Sequence, residues 1–157
     1  MQKSISLFTF IVFFSLFANA QKGWRLGVAV QAGLANNSKY GLVIGADARI
    51  QTNISGKDFF ILTSGITHFF DTPKTLNGFT YVPVKVGVKS YLAKHFYVSG
   101  EAGIGCSLQK EINNSFVWSP AMGISTKTMD VSIRYENYDA YQNFQHLALR
   151  LAYGFKL

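Results

Sequence analysis

Residues 148–157 have the sequence ALRLAYGFKL, and this stretch decides the fold class. From residue 147 to residue 157, large apolar side chains occupy every second position, and small or basic residues occupy the positions between them. A helical apolar stripe that starts at Leu147 would have to continue through Arg150 and Gly154, which break it. The strict alternation therefore predicts a β-strand that is apolar on one face only.

The same alternation occurs in seven earlier segments that are bounded by turn residues. They are WRLGVAVQAGL (24–34), GLVIGADARIQT (41–52), FFILTSGITHFF (59–70), TYVPVKVGVKSYL (80–92), FYVSGEAGIGCSL (96–108), FVWSPAMGIS (116–125) and MDVSIRYEN (129–137). The phase of the third segment is the least clear, and Gly65 is expected to mark a bulge there. Pro83 and Pro120 remove ladder hydrogen bonds, so a local irregularity is expected at each.

The connections between these strands alternate in length. Those after strands two, four and six are short, whereas those after strands one, three, five and seven are expected to have about six to ten residues. Short turns at one end and longer loops at the other are typical of a transmembrane β-barrel. The sequence therefore predicts an all-β, eight-stranded, antiparallel up-and-down transmembrane barrel.

The first twenty residues, MQKSISLFTFIVFFSLFANA, have the features of a cleavable signal peptide. Lys3 precedes an apolar run that ends in small residues, so we expect cleavage between Ala20 and Gln21. Residues 1–20 are then the signal peptide, and residues 21–157 form one outer-membrane β-barrel domain. Cys106 is the only cysteine, so the fold cannot rely on an internal disulfide.

The composition of the two strand faces indicates which face meets lipid. The apolar face carries no Lys, Arg, Asp or Glu on any strand with a clear phase, while the other face combines charges with many glycines and alanines. A soluble carrier of an apolar ligand would turn the apolar face inward, and an outer-membrane barrel turns it outward. Because small residues leave room for long charged side chains in a narrow lumen, the outward orientation is predicted.

Aromatic residues gather near the strand ends, as expected for membrane interfaces. The girdle is predicted to include Trp24, Phe96, Trp118, Tyr153 and Phe155. Of these, Trp118 lies near the loop end and the other four near the short-turn end. Further aromatic residues are expected beside Trp118 at the loop-end interface, namely Tyr40, Phe70, Phe79, Phe116, Tyr138, Tyr141 and Phe144.

The polar face predicts a charge network inside the barrel. Its principal members are Asp47, Arg49, Lys85, Lys89, Glu101, Arg134, Glu136 and Arg150, and Arg25, Asp130 and Lys156 lie on the same face. These charges are expected to pair, because an isolated buried charge is very costly. Hairpin geometry places Glu101 opposite or diagonal to Lys85, and Arg150 near Arg134 and Glu136. A packed, plugged lumen is favoured over a gated ion path.

Residues 80–105, TYVPVKVGVKSYLAKHFYVSGEAGIG, resemble the signature of small porin-like outer-membrane β-barrel proteins of Gram-negative bacteria. The overall plan is similar to the OmpX and OmpA transmembrane barrels. The resemblance implies a location in the cell outer membrane and insertion by the barrel-assembly machinery. In such proteins that machinery recognises a closing strand with a terminal aromatic residue. Tyr153 and Phe155 match the outward aromatic positions, although the last residue here is Leu157.

These features predict a structural or surface-interaction protein without catalysis. Outer-membrane lipid, lipopolysaccharide and an unidentified surface or periplasmic protein are the expected partners, with no cofactor, metal or nucleic acid. An alternative is a lipid-modifying enzyme of the deacylase or acyltransferase type, which would place a histidine near a serine and an acid at one rim. The histidines, His68, His95 and His146, are expected to be surface or rim residues. The second alternative is the soluble carrier.

Overall fold

A computed structural model describes residues 23–36, 40–71, 78–109, 113–139 and 144–156. The predicted signal peptide, residues 1–20, lies outside these residues, and so does Gln21 after the predicted cleavage point. The strands are β1 (Trp24–Ala35), β2 (Tyr40–Ser55), β3 (Asp58–Asp71), β4 (Gly78–Tyr91), β5 (Phe96–Ser107), β6 (Ser115–Ser125), β7 (Met129–Asp139) and β8 (Phe144–Lys156). None of the described residues belongs to a helix long and apolar enough to cross a membrane.

The eight strands form a closed antiparallel barrel in up-and-down order. β8 pairs with β1 over its length, from the pair Arg25 and Lys156 to the pair Ala35 and His146. The closing strand at the end of the sequence therefore has a partner on both sides, which leaves no unpaired sheet edge. The predicted all-β, eight-stranded architecture is confirmed.

The barrel has two distinct ends. The strand ends joined by 56–57, 92–95 and 126–128 lie at one end, which we call the turn end. The strand ends joined by 36–39, 72–77, 108–114 and 140–143 lie at the other, which we call the loop end. The strands run further than the sequence predicted, up to 16 residues in β2. As a result the loop-end connections are shorter than expected, and the contrast between the ends is smaller.

The apolar face points outward on every strand. Val86 in β4 is 49% exposed, whereas its neighbour Lys85 is 1% exposed. In β8, the apolar side chain of Leu149 is likewise 59% exposed, whereas the charged side chain of Arg150 is 1% exposed. A soluble carrier requires the opposite orientation, with the apolar face around an internal cavity, so the structure does not support that alternative.

The middle of β3 differs from the prediction. Gly65 pairs in register with Asp47, and the register shifts between β2 and β3 lie near the strand ends instead, at Tyr40/Val43 and Asn53/Ser55. The expected bulge at Gly65 is therefore wrong. The phase is also settled, because Ile61 is buried and Leu62 is exposed.

The two prolines interrupt the sheet without changing its register. Between β3 and β4, pairing stops after Ser64 and resumes at Thr67, which leaves Pro83 without a bridge to β3. Between β6 and β7, pairing stops after Trp118 and resumes at Ala121, around Pro120. Both prolines keep a glycine of β5 as their partner on the other side. The predicted irregularities are thus two short gaps, which follow from the missing N–H of proline.

Candidate functional site in the barrel interior

Charged side chains occupy the middle of the barrel interior. The structure places all eight predicted network residues on the inward face, each no more than 9% exposed, and each takes part in an ion pair. Asp130 joins them through Lys89. Among the described residues the network thus contains five cations and four carboxylates, so its charges nearly cancel.

Glu101 on β5 bridges two arginines from outside its own hairpins, one on β2 and one on β7. Its Oε1 lies 2.6 Å from Arg49 Nη2 and 2.9 Å from Arg134 Nη2. Arg49 also donates from Nε to the Thr63 hydroxyl at 3.2 Å. Because charge-assisted hydrogen bonds are stronger than neutral ones, this carboxylate ties β2 and β7 to β5.

Glu136 on β7 is the second carboxylate centre. Lys85 and Arg134 pair with its Oε1, the latter at 3.4 Å. The Tyr138 hydroxyl donates to Oε2 at 3.0 Å, and the Ser119 hydroxyl donates to Oε1 at 3.3 Å. Both oxygens of a fully buried carboxylate therefore have hydrogen-bond donors, as burial of a charge requires.

A third cluster lies closer to the turn end. Arg150 on β8 contacts Asp47 on β2 at two points, 2.5 Å and 2.9 Å. Lys89 pairs with Asp130 at 2.6 Å and lies 3.7 Å from the centre of the Tyr97 ring. Tyr97 also donates its hydroxyl to Asp130 at 2.7 Å.

The register of β4 and β5 places Glu101 diagonal to Lys85, as predicted, but several ion pairs form with other partners. Glu101 pairs with Arg49 and Arg134 rather than with Lys85, which instead contacts Glu136. Arg150 contacts Asp47 and not Glu136. The cause is that an eight-stranded interior is narrow, so long side chains meet across the lumen as readily as along one hairpin.

The loop end of the interior is closed by aromatic side chains, and here the sequence prediction was wrong. Tyr40, Phe79, Tyr138 and Phe144 were expected at the membrane interface, but all four are buried inside the barrel, and Tyr141 lies outside the described residues. The cluster, which we call the aromatic cap, consists of Tyr40, Val43, Phe69, Phe79, Tyr81, Val117, Tyr138 and Phe144.

Ring contacts hold the aromatic cap together. The Phe69 and Phe79 rings stack with centroids 4.6 Å apart, and the Tyr81 and Tyr138 rings stack at 4.7 Å. Gly105 faces the second pair, and a Cβ atom placed there would lie 2.8 Å from the Tyr138 ring. A glycine at this position therefore provides the space that the tyrosine occupies. The alternation of β7 and β8 could have identified Tyr138 and Phe144 as inward residues.

The predicted girdle residues lie near the two rims of the barrel. Phe96, Tyr153 and Phe155 are exposed at the turn end, and Trp118 is exposed toward the loop end. Tyr153 and Phe155 contact each other at 4.9 Å between ring centroids. Trp24, at the start of β1, is partly buried.

The three histidines occupy different environments. His95 is exposed in the turn 92–95, and His68 lies on the outer wall with Nδ1 2.8 Å from the Thr80 hydroxyl oxygen. His146 was expected at the rim, but it is 1% exposed, below the aromatic cap. Its Nε2 lies 3.6 Å from Glu136, and its ring stacks on Tyr138.

Metal ligands do not cluster in the part of the chain that is described. No three His, Cys, Asp or Glu side chains there lie close enough together to hold a metal ion. Arg25, a further predicted lumen residue, is partly exposed at the turn end, and the Lys156 side chain lies outside the described residues.

Comparison with known proteins identifies the type of fold. No family model and no curated protein matches the sequence. Among solved structures, Ail, the attachment invasion locus protein of Yersinia pestis, is 14% identical, with 85% of this chain and 99% of Ail covered and a TM-score of 0.62. The chain has the fold of a small outer-membrane β-barrel.

Two further structures have the same fold. Neisserial surface protein A is 13% identical, with 87% of this chain and 98% of that protein covered and a TM-score of 0.60. A de novo designed transmembrane β-barrel is 15% identical, with 86% and 98% covered and a TM-score of 0.58. At such low identity, the likeness concerns the fold alone.

Proposed function

We propose that this chain is an integral outer-membrane β-barrel with a plugged polar lumen, which acts at the cell surface without catalysis. One observation carries the proposal. The wall presents exposed Val, Leu and Ile side chains to its surroundings, while Lys85, Arg134 and Glu136 are buried inside. In water this arrangement would expose a large apolar surface and desolvate many charges at once, whereas in a bilayer it matches lipid outside and polar groups inside.

The proposed plug consists of two layers of side chains, one after the other along the barrel axis. The aromatic cap fills the loop end, and the charge network lies below it. An eight-stranded barrel has an interior just wide enough for side chains to fill, so paired charges in the middle leave little room for ions. On this view the lumen supports the barrel rather than conducting.

The surface role is proposed for the loop end, by analogy with proteins of the same fold. Ail is an attachment protein, and its structure has been solved in complex with the heparin analogue sucrose octasulfate. The corresponding connections in this chain are 36–39, 72–77, 108–114 and 140–143. We propose that they contact lipopolysaccharide or an unidentified surface partner, while barrel-assembly machinery and outer-membrane lipid act on the wall.

Membrane insertion is tested by fractionation and by electrophoresis with and without boiling. The expected result is recovery in the outer-membrane fraction and a shift in apparent size on boiling, as for a closed barrel that resists detergent. Complete recovery in the soluble fraction without a shift would contradict the proposal.

The loop-end role needs a separate test. A variant in which 72–77 and 108–114 are replaced by short turns should fold and shift on boiling like the wild type. Its binding to lipopolysaccharide, or adhesion of cells that carry it, is expected to fall. Equal binding by both proteins would argue against a surface role for these connections.

The lipid-modifying enzyme is kept as a second candidate because His68 contacts the Thr80 hydroxyl on the outer wall at 2.8 Å. A histidine next to a hydroxyl is one part of a nucleophile–base pair. Within the described residues, however, no carboxylate forms an ion pair with His68. Release of fatty acid from lipid A by purified protein, lost in His68→Ala, would favour the enzyme over the non-catalytic function.

A further inference from the structure

A small cationic cavity opens at the turn end of the barrel. Its volume is about 50 Å³, which suits about four water molecules or one small anion. The charged residues that line it are Arg25, Arg49, Lys89, Lys127, Asp130 and Arg150. We call this space the turn-end vestibule. Its lining contains five cations and one carboxylate, in contrast to the nearly balanced network deeper in the barrel.

The inner end of the vestibule contains an arginine with a free donor. Arg150 is 1% exposed, and its Nε and Nη2 donate to Asp47. Its Nη1 has no hydrogen-bond acceptor in the described part of the chain, and the Asp130 carboxylate lies 3.9 Å away. A buried donor without an acceptor is costly, so an oxygen atom from a bound group would stabilise this site.

The mouth of the vestibule is also cationic. Neither Arg25 nor Lys127 forms an ion pair with another described residue. Both also line an adjoining open cleft of about 600 Å³, to which Lys57, Lys94 and His95 contribute. No Asp or Glu is among the described residues that line this cleft. Several like charges around a concave surface raise the local concentration of anions.

The turns that carry these cations are tied to the barrel wall. Tyr91 N donates to Lys57 O at 3.1 Å, and Ser125 N donates to His95 O at 2.8 Å. Gly154 N donates to Thr128 O at 2.7 Å in the same way. Each short turn is therefore fastened to a neighbouring strand, which favours a fixed arrangement of charge over a mobile one.

We propose that the turn-end vestibule binds a phosphate-type oxyanion, with Arg150 Nη1 as the inner donor and Arg25 and Lys127 at the mouth. Guanidinium groups match the geometry of phosphate oxygens, and the volume suits one such group. The oxyanion is either inorganic phosphate or the phosphodiester of a lipid headgroup. This site is at the opposite end from the proposed surface role and does not depend on it.

The test uses the folded barrel in dodecyl maltoside micelles, which contain no phosphate. Inorganic phosphate is titrated while the arginine Nε–H signals are followed by NMR. We expect a saturable shift of the Arg150 signal. The dissociation constant of phosphate should rise about tenfold in the double variant R25Q/K127Q, because each charge-assisted contact that is lost contributes to the affinity for phosphate.

The control is K74Q/K110Q, which removes the same two charges from the loop-end connections 72–77 and 108–114. It should bind phosphate like the wild type. No saturable shift in the wild-type protein, or equal weakening in both double variants, would overturn the proposal, because the effect would then be a general ionic one.

The source of the oxyanion is distinguished with two further probes, glycerol phosphate and short-chain phosphatidylglycerol. Tighter binding of the lipid identifies a headgroup, and equal or weaker binding of the lipid identifies a free anion. Failure of both probes to compete with inorganic phosphate would contradict a site for phosphate-type groups. None of these outcomes depends on whether the loop end has a partner.

Discussion

Arg150 and Asp47 lie 103 residues apart in the sequence, yet their side chains form a two-point ion pair inside the barrel. The pair passes over β1, where Ala29 is in register with Asp47 on one side and with Ala152 on the other. A large side chain at residue 29 would stand between them. The small residues of the inward face are therefore part of how the charges meet.

Removal of one partner of this pair should be strongly destabilising. Asp47→Asn is expected to lower the free energy of unfolding by about 3–5 kcal/mol, because the buried positive charge of Arg150 then loses the carboxylate that it pairs with. Urea unfolding from lipid vesicles, followed by tryptophan fluorescence, measures the change. The double variant D47L/R150M should be less destabilised than D47N alone, since it leaves no uncompensated charge. Unfolding of D47N at the wild-type urea concentration would contradict this account.

A charge on the outer wall distinguishes a lipid-facing surface from a water-facing one. Val86 lies in the middle of β4 and is 49% exposed. In a bilayer, Val86→Arg should cost about 2–4 kcal/mol of folding free energy, whereas on a water-facing surface it would be close to neutral. Ile54→Arg is the control, because Ile54 is 58% exposed near the turn end of β2. Equal stability of the two variants in vesicles would argue against a membrane-spanning wall.

The glycine beside the tyrosine stack should not tolerate a methyl group. Gly105→Ala places a Cβ atom 2.8 Å from the Tyr138 ring, so we expect a loss of about 1–3 kcal/mol from overpacking. Gly100→Ala, on the same strand, is the matched control, because no atom lies within 4 Å of its Cβ position. The two variants are compared by urea unfolding. Similar stabilities would mean that Tyr138 moves aside without cost.

The proposed plug predicts that ions meet two barriers in series. Wild-type protein in planar bilayers should show no steady conductance. Phe79→Ala opens the aromatic cap and Arg134→Ala opens the charge network, but each leaves the other layer in place. Only the double variant is expected to give transient openings. Steady conductance in the wild type would rule out the plug. Openings in either single variant would show that only one of the two layers blocks ions.

The strands could be predicted well from the sequence because each one has one face toward the outside of the barrel and one face toward its interior. Alternation in residues 147–157 is decided locally, by which side chains face the outside and which face the interior. The closed order of eight strands followed from the same pattern with the connection lengths. Neither inference required knowledge of a distant contact, which explains why both agree with the structure.

The partners inside the lumen were harder to predict. Alternation assigns Arg49 and Glu101 to the inward face but says nothing about which of the four carboxylates each cation meets. That choice depends on distances across the barrel, between strands that are not neighbours in sequence. The aromatic cap was missed for a different reason. Phe79 shares the inward parity of Tyr81 and Lys85 in β4, but its position near a strand end was taken as the sign of a membrane interface.

The two proline gaps divide the wall into unequal arcs. One arc consists of β4, β5 and β6, and the other consists of β7, β8, β1, β2 and β3, with the interrupted ladders as the seams between them. The ion pairs Arg49–Glu101, Arg134–Glu101, Lys85–Glu136 and Lys89–Asp130 each join one arc to the other. The buried ion pairs thus connect the two arcs across the lumen. They link parts of the barrel wall that lack some backbone hydrogen bonds at the two proline positions.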